Sequence, residues 1–287
     1  MLKLGFIGAG TVGTALSVRL SNKGYRVIAV SSRSQTSATN LAQRVNGCHA
    51  FNNNQDVADA AELIFITTPD DAIASVASEI KWHRGQSVVH CSGALSTDIL
   101  EPAKKLGAQV GAFHPLQTFA SVKQAIENIP GSTFALEADE PLLNTLKDMA
   151  TTLDGHWVEL KARDKVVYHA SAVIACNYMV TLVKLATDLW QSFAIPPHQA
   201  TQALMPLLRG TLNNIDTVGI PQCLTGPIAR GDTGTIKKHL DALQKVAPAL
   251  LSTYQELGLQ TIPIALAKGK INQHQAEELQ AILKQPV

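Results

Sequence analysis

The stretch Leu2 to Gly13 constrains the fold more than any other part of the chain. It reads L-K-L-G-F-I-G-A-G-T-V-G, an apolar run that turns at once into Gly8-x-Gly10-x-x-Gly13. In a strand-to-helix turn these glycines have distinct uses: the first allows a sharp turn, the second lets a pyrophosphate reach bare backbone, and the third lets the helix lie close to the strand. The amphipathic segment Thr11 to Lys23 follows, then the helix-stopping Gly24 and a second strand, Tyr25 to Val30. This context separates the motif from an ordinary glycine-rich loop. Gly8, Ala9, Gly10, Thr11, Val12 and Gly13 are therefore expected to hold a dinucleotide, with its phosphates at a helix N-terminus.

A chain of 287 residues suits two domains. With 46% hydrophobic and 16% charged residues it has a globular composition, and a net charge of +1 argues against a nucleic-acid surface. Four scattered cysteines, Cys48, Cys91, Cys176 and Cys223, suggest neither a disulfide framework nor a metal cluster. A first strand beginning almost at Met1 leaves no room for a signal segment, so a cytoplasmic location is expected. Val166 to Val183 carries no Asp, Glu, Lys or Arg but does include His169, Ser171, Asn177 and Thr181. That polarity favours a buried helix over a membrane span.

The residues after the second strand select the cofactor. An NAD site usually places a carboxylate about 20 positions beyond the glycines, on the ribose 2′-hydroxyl. Here the chain has Ser31, Ser32 and Arg33 instead, a set suited to a 2′-phosphate, so NADP is expected. A strand over Glu62 to Thr68 ends in Thr67, Thr68 and Pro69, which should edge the cofactor because ligands bind outside the carboxyl ends of the strands. Asp70 and Asp71 read as first-turn acids of the next helix. The next two strands end in His90-Cys91-Ser92-Gly93 and in His114-Pro115-Leu116-Gln117, bringing two histidines to one rim. His90 to Ser92 are expected to shape the nicotinamide pocket, with Cys91 a packed thiol, and His114 is a candidate at the nicotinamide end.

Around Lys161 to Asp164 the alternation of strands and helices gives way to helices alone, which places a domain boundary between residues 161 and 162. Asp164 to Phe193 reads as one helix, apolar on nearly every side and hence expected to be buried between domains or at a subunit interface. Lys165 and His169 share a face, and Asn177 lies about 80° round from His169 at ~100° per residue. Leu212 to Ile220 reads as a polar connection, and Thr253 to Gly258 as a helix. The turn Thr225-Gly226-Pro227-Ile228-Ala229-Arg230-Gly231-Asp232 offers Arg230 to an anion, or ties Arg230 to Asp232.

These motifs together resemble a bacterial family of Rossmann-like proteins with a C-terminal helical domain of formerly unknown function, related to pyrroline-5-carboxylate reductase, ketopantoate reductase and the 6-phosphogluconate dehydrogenase superfamily. The resemblance rests on the glycine motif, His90-Cys91-Ser92-Gly93, His114 to Phe119, Tyr168-His169 with Asn177, and Thr225 to Asp232. It implies an α/β Rossmann-type doubly wound, mainly parallel sheet followed by an all-α domain. It also implies a homodimer through the helices and a site in the cleft between domains. A lysine and an asparagine on the first helix of the second domain often carry proton transfer in the superfamily. Lys165 and Asn177 are spaced more widely than in that pattern, which makes His169 a rival.

The expected activity is NADPH-dependent reduction of a carbonyl or imine on a small carboxylate, a 2-oxoacid such as ketopantoate or a cyclic imino acid. His114, Lys165, His169, Asn177 and Arg230 are the catalytic candidates, and no metal, nucleic-acid or membrane partner is expected. The alternative is an NADP-binding sensor or scaffold without hydride transfer.

Overall fold

The strand β1 (Lys3–Ile7) is buried from its second residue onward, as expected of a strand covered on both faces of a parallel sheet. The computed structural model describes residues 2–285, in which β1 is one of eight strands. The others are β2 (Arg26–Ser31), β3 (His49–Ala50), β4 (Leu63–Ile66), β5 (Ser87–His90), β6 (Gln109–Leu116), β7 (Thr133–Ala138) and β8 (His156–Glu159). Their order is β3-β2-β1-β4-β5-β6-β7-β8. Every neighbouring pair is parallel except β6 with β7. The order reverses beside β1, the topological switch point at which open α/β sheets bind ligands.

The connecting helices are α1 (Thr11–Asn22), α2 (Gln35–Ala42), α3 (Asn54–Ala60), α4 (Asp70–Glu79), α5 (Glu101–Lys105), α6 (Val122–Asn128) and α7 (Leu142–Thr152). On one face of the sheet Phe6 and Phe65 stack at 4.9 Å, Phe65 meets Phe113 edge-on at 5.9 Å, and Phe113 stacks on Phe134 at 4.6 Å. All four rings are fully buried, each contributing about 1.5–3 kcal/mol of burial. A second apolar layer, including Ile7, Ile64, Ile66, Val88 and Trp82, covers the other face.

The chain divides into two compact units, Met1–Cys176 and Asn177–Val287. Sequence pattern placed the change earlier, at 161. The short helix α8 (Lys165–Ala172) belongs to the first unit because the Lys165 side chain, 1% exposed, is buried within it. The second unit contains α9 (Tyr178–Leu189), α10 (Pro197–Val218), α11 (Thr233–Val246), α12 (Leu251–Ala267) and α13 (Gln273–Leu283), with a core of Ile228, Ile236, Ile262, Leu279 and neighbours.

Three expectations need correction. The segment from Asp164 to Phe193 is not one continuous α-helix. Residues Val173–Asn177 form a π-helical turn, and Val166, Val167, Ile174, Tyr178 and Val180 are all more than half exposed in the single chain. The uniform angular count from His169 to Asn177 therefore fails, since a π turn is wider than an α turn. Residues 212–218 are helical, the last turns of α10, because Asn and Thr are weak rather than forbidden helix formers. Finally, the helix expected over Thr253 to Gly258 is longer: α12 runs from Leu251 to Ala267 and carries Pro263 inside it.

Candidate functional site

The three glycines of the first turn behave differently. Gly8 has φ +110°, and a Cβ there would sit 2.8 Å from the Thr67 backbone. At Gly13 a Cβ would lie 2.4 Å from Gly8 O and Thr67 Oγ1, so only hydrogen lets α1 pack so close to β1 and β4. At Gly10 a Cβ would meet nothing within 4 Å. Gly10 is the N-cap of α1, with no side-chain cap and no acid in the first turn. The open side of Gly10 thus adjoins unpaired backbone donors at the positive end of a helix dipole, the arrangement that receives a phosphate.

A cavity of about 820 Å³ extends from this turn, lined among others by Gly8, Ala9, Gly10, Ser31, Ser32, Arg33, Thr67, Thr68 and Pro69. The lining thus includes most of the residues expected to hold the cofactor. Thr11, Val12 and Gly13 lie in the first turn of α1, and His90, Cys91 and Ser92 follow the end of β5 outside this lining. Thr68 Oγ1, on the wall, is a buried oxygen without a protein partner. The exposed Arg33 and half-buried Ser32 stand where an NAD site would carry an acid. The Ser31 hydroxyl donates to Asn54 Oδ1 at 2.7 Å, and Asn54 Nδ2 donates to Glu79 Oε1 at 2.5 Å. With its proton so committed, Ser31 presents lone pairs to the cavity and suits a ribose hydroxyl. Sequence reasoning missed Asn54 and Glu79; the one available signal was the run Asn52-Asn53-Asn54 just before a helix.

Beyond β5 the chain makes a tightly bonded loop. His90 is fully buried; its Nε2 faces Ser96 O at 3.2 Å and its Nδ1 accepts from Ser92 N–H at 3.2 Å. Burial, followed by the Lys165 charge, holds His90 down at about 3, so it is neutral. Ser92 Oγ donates to Asp70 Oδ2 at 2.6 Å and accepts from the amides of Ala94 and Leu95. Asp70, in the first turn of α4, thereby ties this loop to the chain that edges the cavity at Pro69. Burial pushes the Cys91 thiol up to about 12, the behaviour of a packed side chain rather than a nucleophile.

His114, near the carboxyl end of β6, joins Tyr168 and His169 of α8. Its Nδ1 lies 2.8 Å from the Tyr168 hydroxyl, and its ring centroid is 6.3 Å from that of His169. Gly93 fits between the two imidazoles: a Cβ there would stand 2.8 Å from both His114 Nε2 and His169 Cδ2. Burial, then Lys165, then His169 lower His114 to about 4, so it too is neutral near pH 7.

Lys165 lies beneath this group with Nζ 3.3 Å from Ser92 O and 3.8 Å from Glu137 Oε2. Its pKa is lowered by burial, against the raising effect of Glu137. The other oxygen of Glu137 accepts from both the amide and hydroxyl of Thr97. Lys165 is thus walled off and bonded inward, which suits an electrostatic support more than a group that meets substrate. Sequence reasoning missed Glu137, Gly93 and the role of Tyr168.

Asn177 is the first residue of the second unit. Arg230, in the same unit, is exposed with its guanidinium 4.0 Å from Asp232, whose carboxylate caps α11 through Thr235. Among the described residues no three His, Cys, Asp or Glu side chains are grouped to hold a metal ion.

The sheet order, the glycine turn and the cavity beside it define a protein of the Rossmann-like class. Residues 1–115 match the family model of a Rossmann-like domain, and residues 132–261 match that of a domain of unknown function, DUF2520. The chain thus carries a Rossmann-like domain followed by a DUF2520 domain. Among solved structures it is similar to a proposed NADP oxidoreductase from Bacteroides fragilis, with 26% identity, a TM-score of 0.73, and coverage of 91% of this chain and 98% of that one. A protein from Thermotoga maritima gives 28% identity and a TM-score of 0.74 over 93% and 99% of the two chains. The 1-pyrroline-5-carboxylate reductase of Streptococcus pyogenes shares the fold at 16% identity, with a TM-score of 0.61 over 98% of each chain. A 2-(hydroxymethyl)glutarate dehydrogenase from Eubacterium barkeri is 36% identical over 72 residues, which span 25% of this chain and 23% of that enzyme.

Proposed function

We propose that this protein is an NADPH-dependent oxidoreductase that reduces a carbonyl or imine on a small carboxylate, such as a 2-oxoacid or a cyclic imino acid. The observation that carries the reading is one rim of the sheet bearing both features: the Gly10-lined cavity, with Ser32 and Arg33 at its β2 edge, and the His114, Tyr168 and His169 group at its β6 edge. Bound NADPH would supply the hydride. The chain's own groups would hold the pyrophosphate at the α1 N-terminus, hold a 2′-phosphate at Arg33, and present an imidazole N–H to the oxygen or nitrogen of the double bond being reduced. The NADP oxidoreductase similarity from Bacteroides fragilis supports the cofactor assignment.

The exposed apolar residues of α8 and α9 need a cover. By length and composition the helical stretch Ala162–Phe193 is sufficient to cross a membrane, and its apolar window is wholly unburied in the single chain. We assign the cover to a second copy of the chain, because His169, Asn177 and the Lys184–Asp188 ion pair lie on the same stretch and are costly in lipid. Analytical ultracentrifugation should show a dimer, and flotation with vesicles in place of dimerisation would overturn the assignment.

The test of the activity is NADPH oxidation by purified protein against a panel of small 2-oxoacids and cyclic imino acids, with NADH as control. Saturable oxidation with NADPH preferred is expected. Tight NADPH binding with no turnover on any of them would overturn the reductase reading in favour of a sensor.

A further inference from the structure

The hydrogen bond between His114 and Tyr168 has a direction, and the direction decides what His114 can do. His114 Nδ1 is the only partner of the Tyr168 hydroxyl among the described residues, at 2.8 Å. Were the imidazole proton on Nδ1, it would point at the phenol oxygen and leave the phenol proton with solvent as its one acceptor. Donation from Tyr168 to Nδ1 satisfies both groups and puts the ring proton on Nε2. Nε2 is the nitrogen beside Gly93, where a Cβ would come within 2.8 Å of it. A side chain at position 93 would therefore crowd this N–H, and glycine spares it that contact.

We propose that Tyr168 is a positioning residue that holds His114 as its Nε2–H tautomer, so that a neutral imidazole N–H donates to the oxygen or nitrogen of the reduced double bond. The inference rests on the reductase reading for its substrate. With hydride supplied to carbon by bound NADPH, the Nε2–H bond would break and the substrate heteroatom would gain that proton. Nδ1 takes the phenol proton at the same time, and the phenolate regains one from water. Passing the charge to the phenol avoids an imidazolate, because a phenol is the stronger acid. Water reaches Tyr168, which is only half-buried. The low His114 pKa agrees: burial, Lys165 and His169 keep the ring from carrying a second proton of its own.

Long-range 1H–15N spectra of histidine-labelled protein at pH 7 read the tautomer directly, with the His114 signals assigned from His114→Gln. Wild type should show Nδ1 unprotonated and Nε2 protonated. Tyr168→Phe, which removes one oxygen, should shift His114 toward a mixture of tautomers and lower kcat ten-fold or more, with NADPH affinity unchanged. Gly93→Ala should instead lower kcat by covering Nε2, with the tautomer retained. A wild-type Nδ1–H ring would overturn the proposal, as would a Tyr168→Phe protein that keeps both its tautomer and its kcat. If wild type reduces no compound of the panel, the reductase reading fails on that result, while the spectra still decide whether Tyr168 sets the tautomer.

Discussion

Replacing Lys165 by methionine keeps an unbranched side chain one atom shorter and removes its charge and donors. Lys165 is 1% exposed and Glu137 12%, so solvent screens the pair little. At their 3.8 Å separation, Coulomb attraction at an effective dielectric of 20 is about 4 kcal/mol. Breaking a buried pair from one side characteristically costs ~3–5 kcal/mol because the remaining charge is stranded. Glu137 Oε2 has no hydrogen bond to compensate it. Lys165→Met should therefore destabilise the first unit by about 4 kcal/mol, and adding Glu137→Gln should restore at least ~2 kcal/mol as a coupling energy. Urea dependence of amide exchange in β5 and β6 reports this unit alone. A loss below ~1 kcal/mol, or no rescue by the second substitution, would refute the claim that Lys165 is an internal counterion. The same substitution should raise the pKa of His90 and of His114, since the Lys165 charge lowers both.

The remaining perturbations test separate parts of the molecule. His90 and His114 titrate at about 3 and about 4 in the fold but near ~6.5 when unfolded, so their contribution is complete above pH 6.5 and lost as pH falls toward 4. The loss should approach ~1.4 kcal/mol per pH unit for the fully buried His90, and His90→Asn should flatten the acid limb of stability against pH. Gly10→Ala meets open space and should leave Tm unchanged while weakening NADPH binding. Gly13→Ala, 2.4 Å from a backbone carbonyl, should lose about 1–3 kcal/mol of stability as well as binding. Asp232→Ala removes the cap that accepts from Thr235, and thermal unfolding of the second unit should register a loss of about 1 kcal/mol.

Four parallel strands were legible because each ends at a signal on one rim: Gly8 at β1, Ser31 to Arg33 at β2, Thr67 to Pro69 at β4, His90 at β5; the two-residue β3 carries no such signal. Local chemistry sufficed there. Where partners are distant in sequence it did not. Glu137 is an acid in an otherwise apolar strand, and only pairing β6 with β7 and packing Lys165 beneath them shows what it balances. Tyr168 read as part of an apolar helix, because its hydroxyl partner lies 54 residues away. The length of α10 escaped because a run of Asn and Thr lowers helix propensity without ending a helix. The need of α8 and α9 for a cover was legible, but an all-apolar helix does not report whether that cover comes from the same chain.

The loop from His90 to Ser96 shows how little of a site resides in the residues that would meet a ligand. Its carbonyl at Ser92 holds Lys165, its hydroxyl at Ser92 holds Asp70, and its glycine at position 93 leaves room for His114 and His169. One serine thus links the chain that edges the cofactor cavity to the chain that carries the histidines. Ser92→Ala should test that linkage, because it deletes one donor and one acceptor from a residue that is 5% exposed. The amides of Ala94 and Leu95 lose their acceptor and Asp70 loses its donor, each loss worth about 1–3 kcal/mol if left uncompensated. Exchange of those two amides should accelerate by at least ten-fold while the amides of β1 hold their protection, and the His114 ring signals should move although His114 is untouched. Unchanged exchange at Ala94 and Leu95 would show that Ser92 fills space and that the two sides of the rim are held independently.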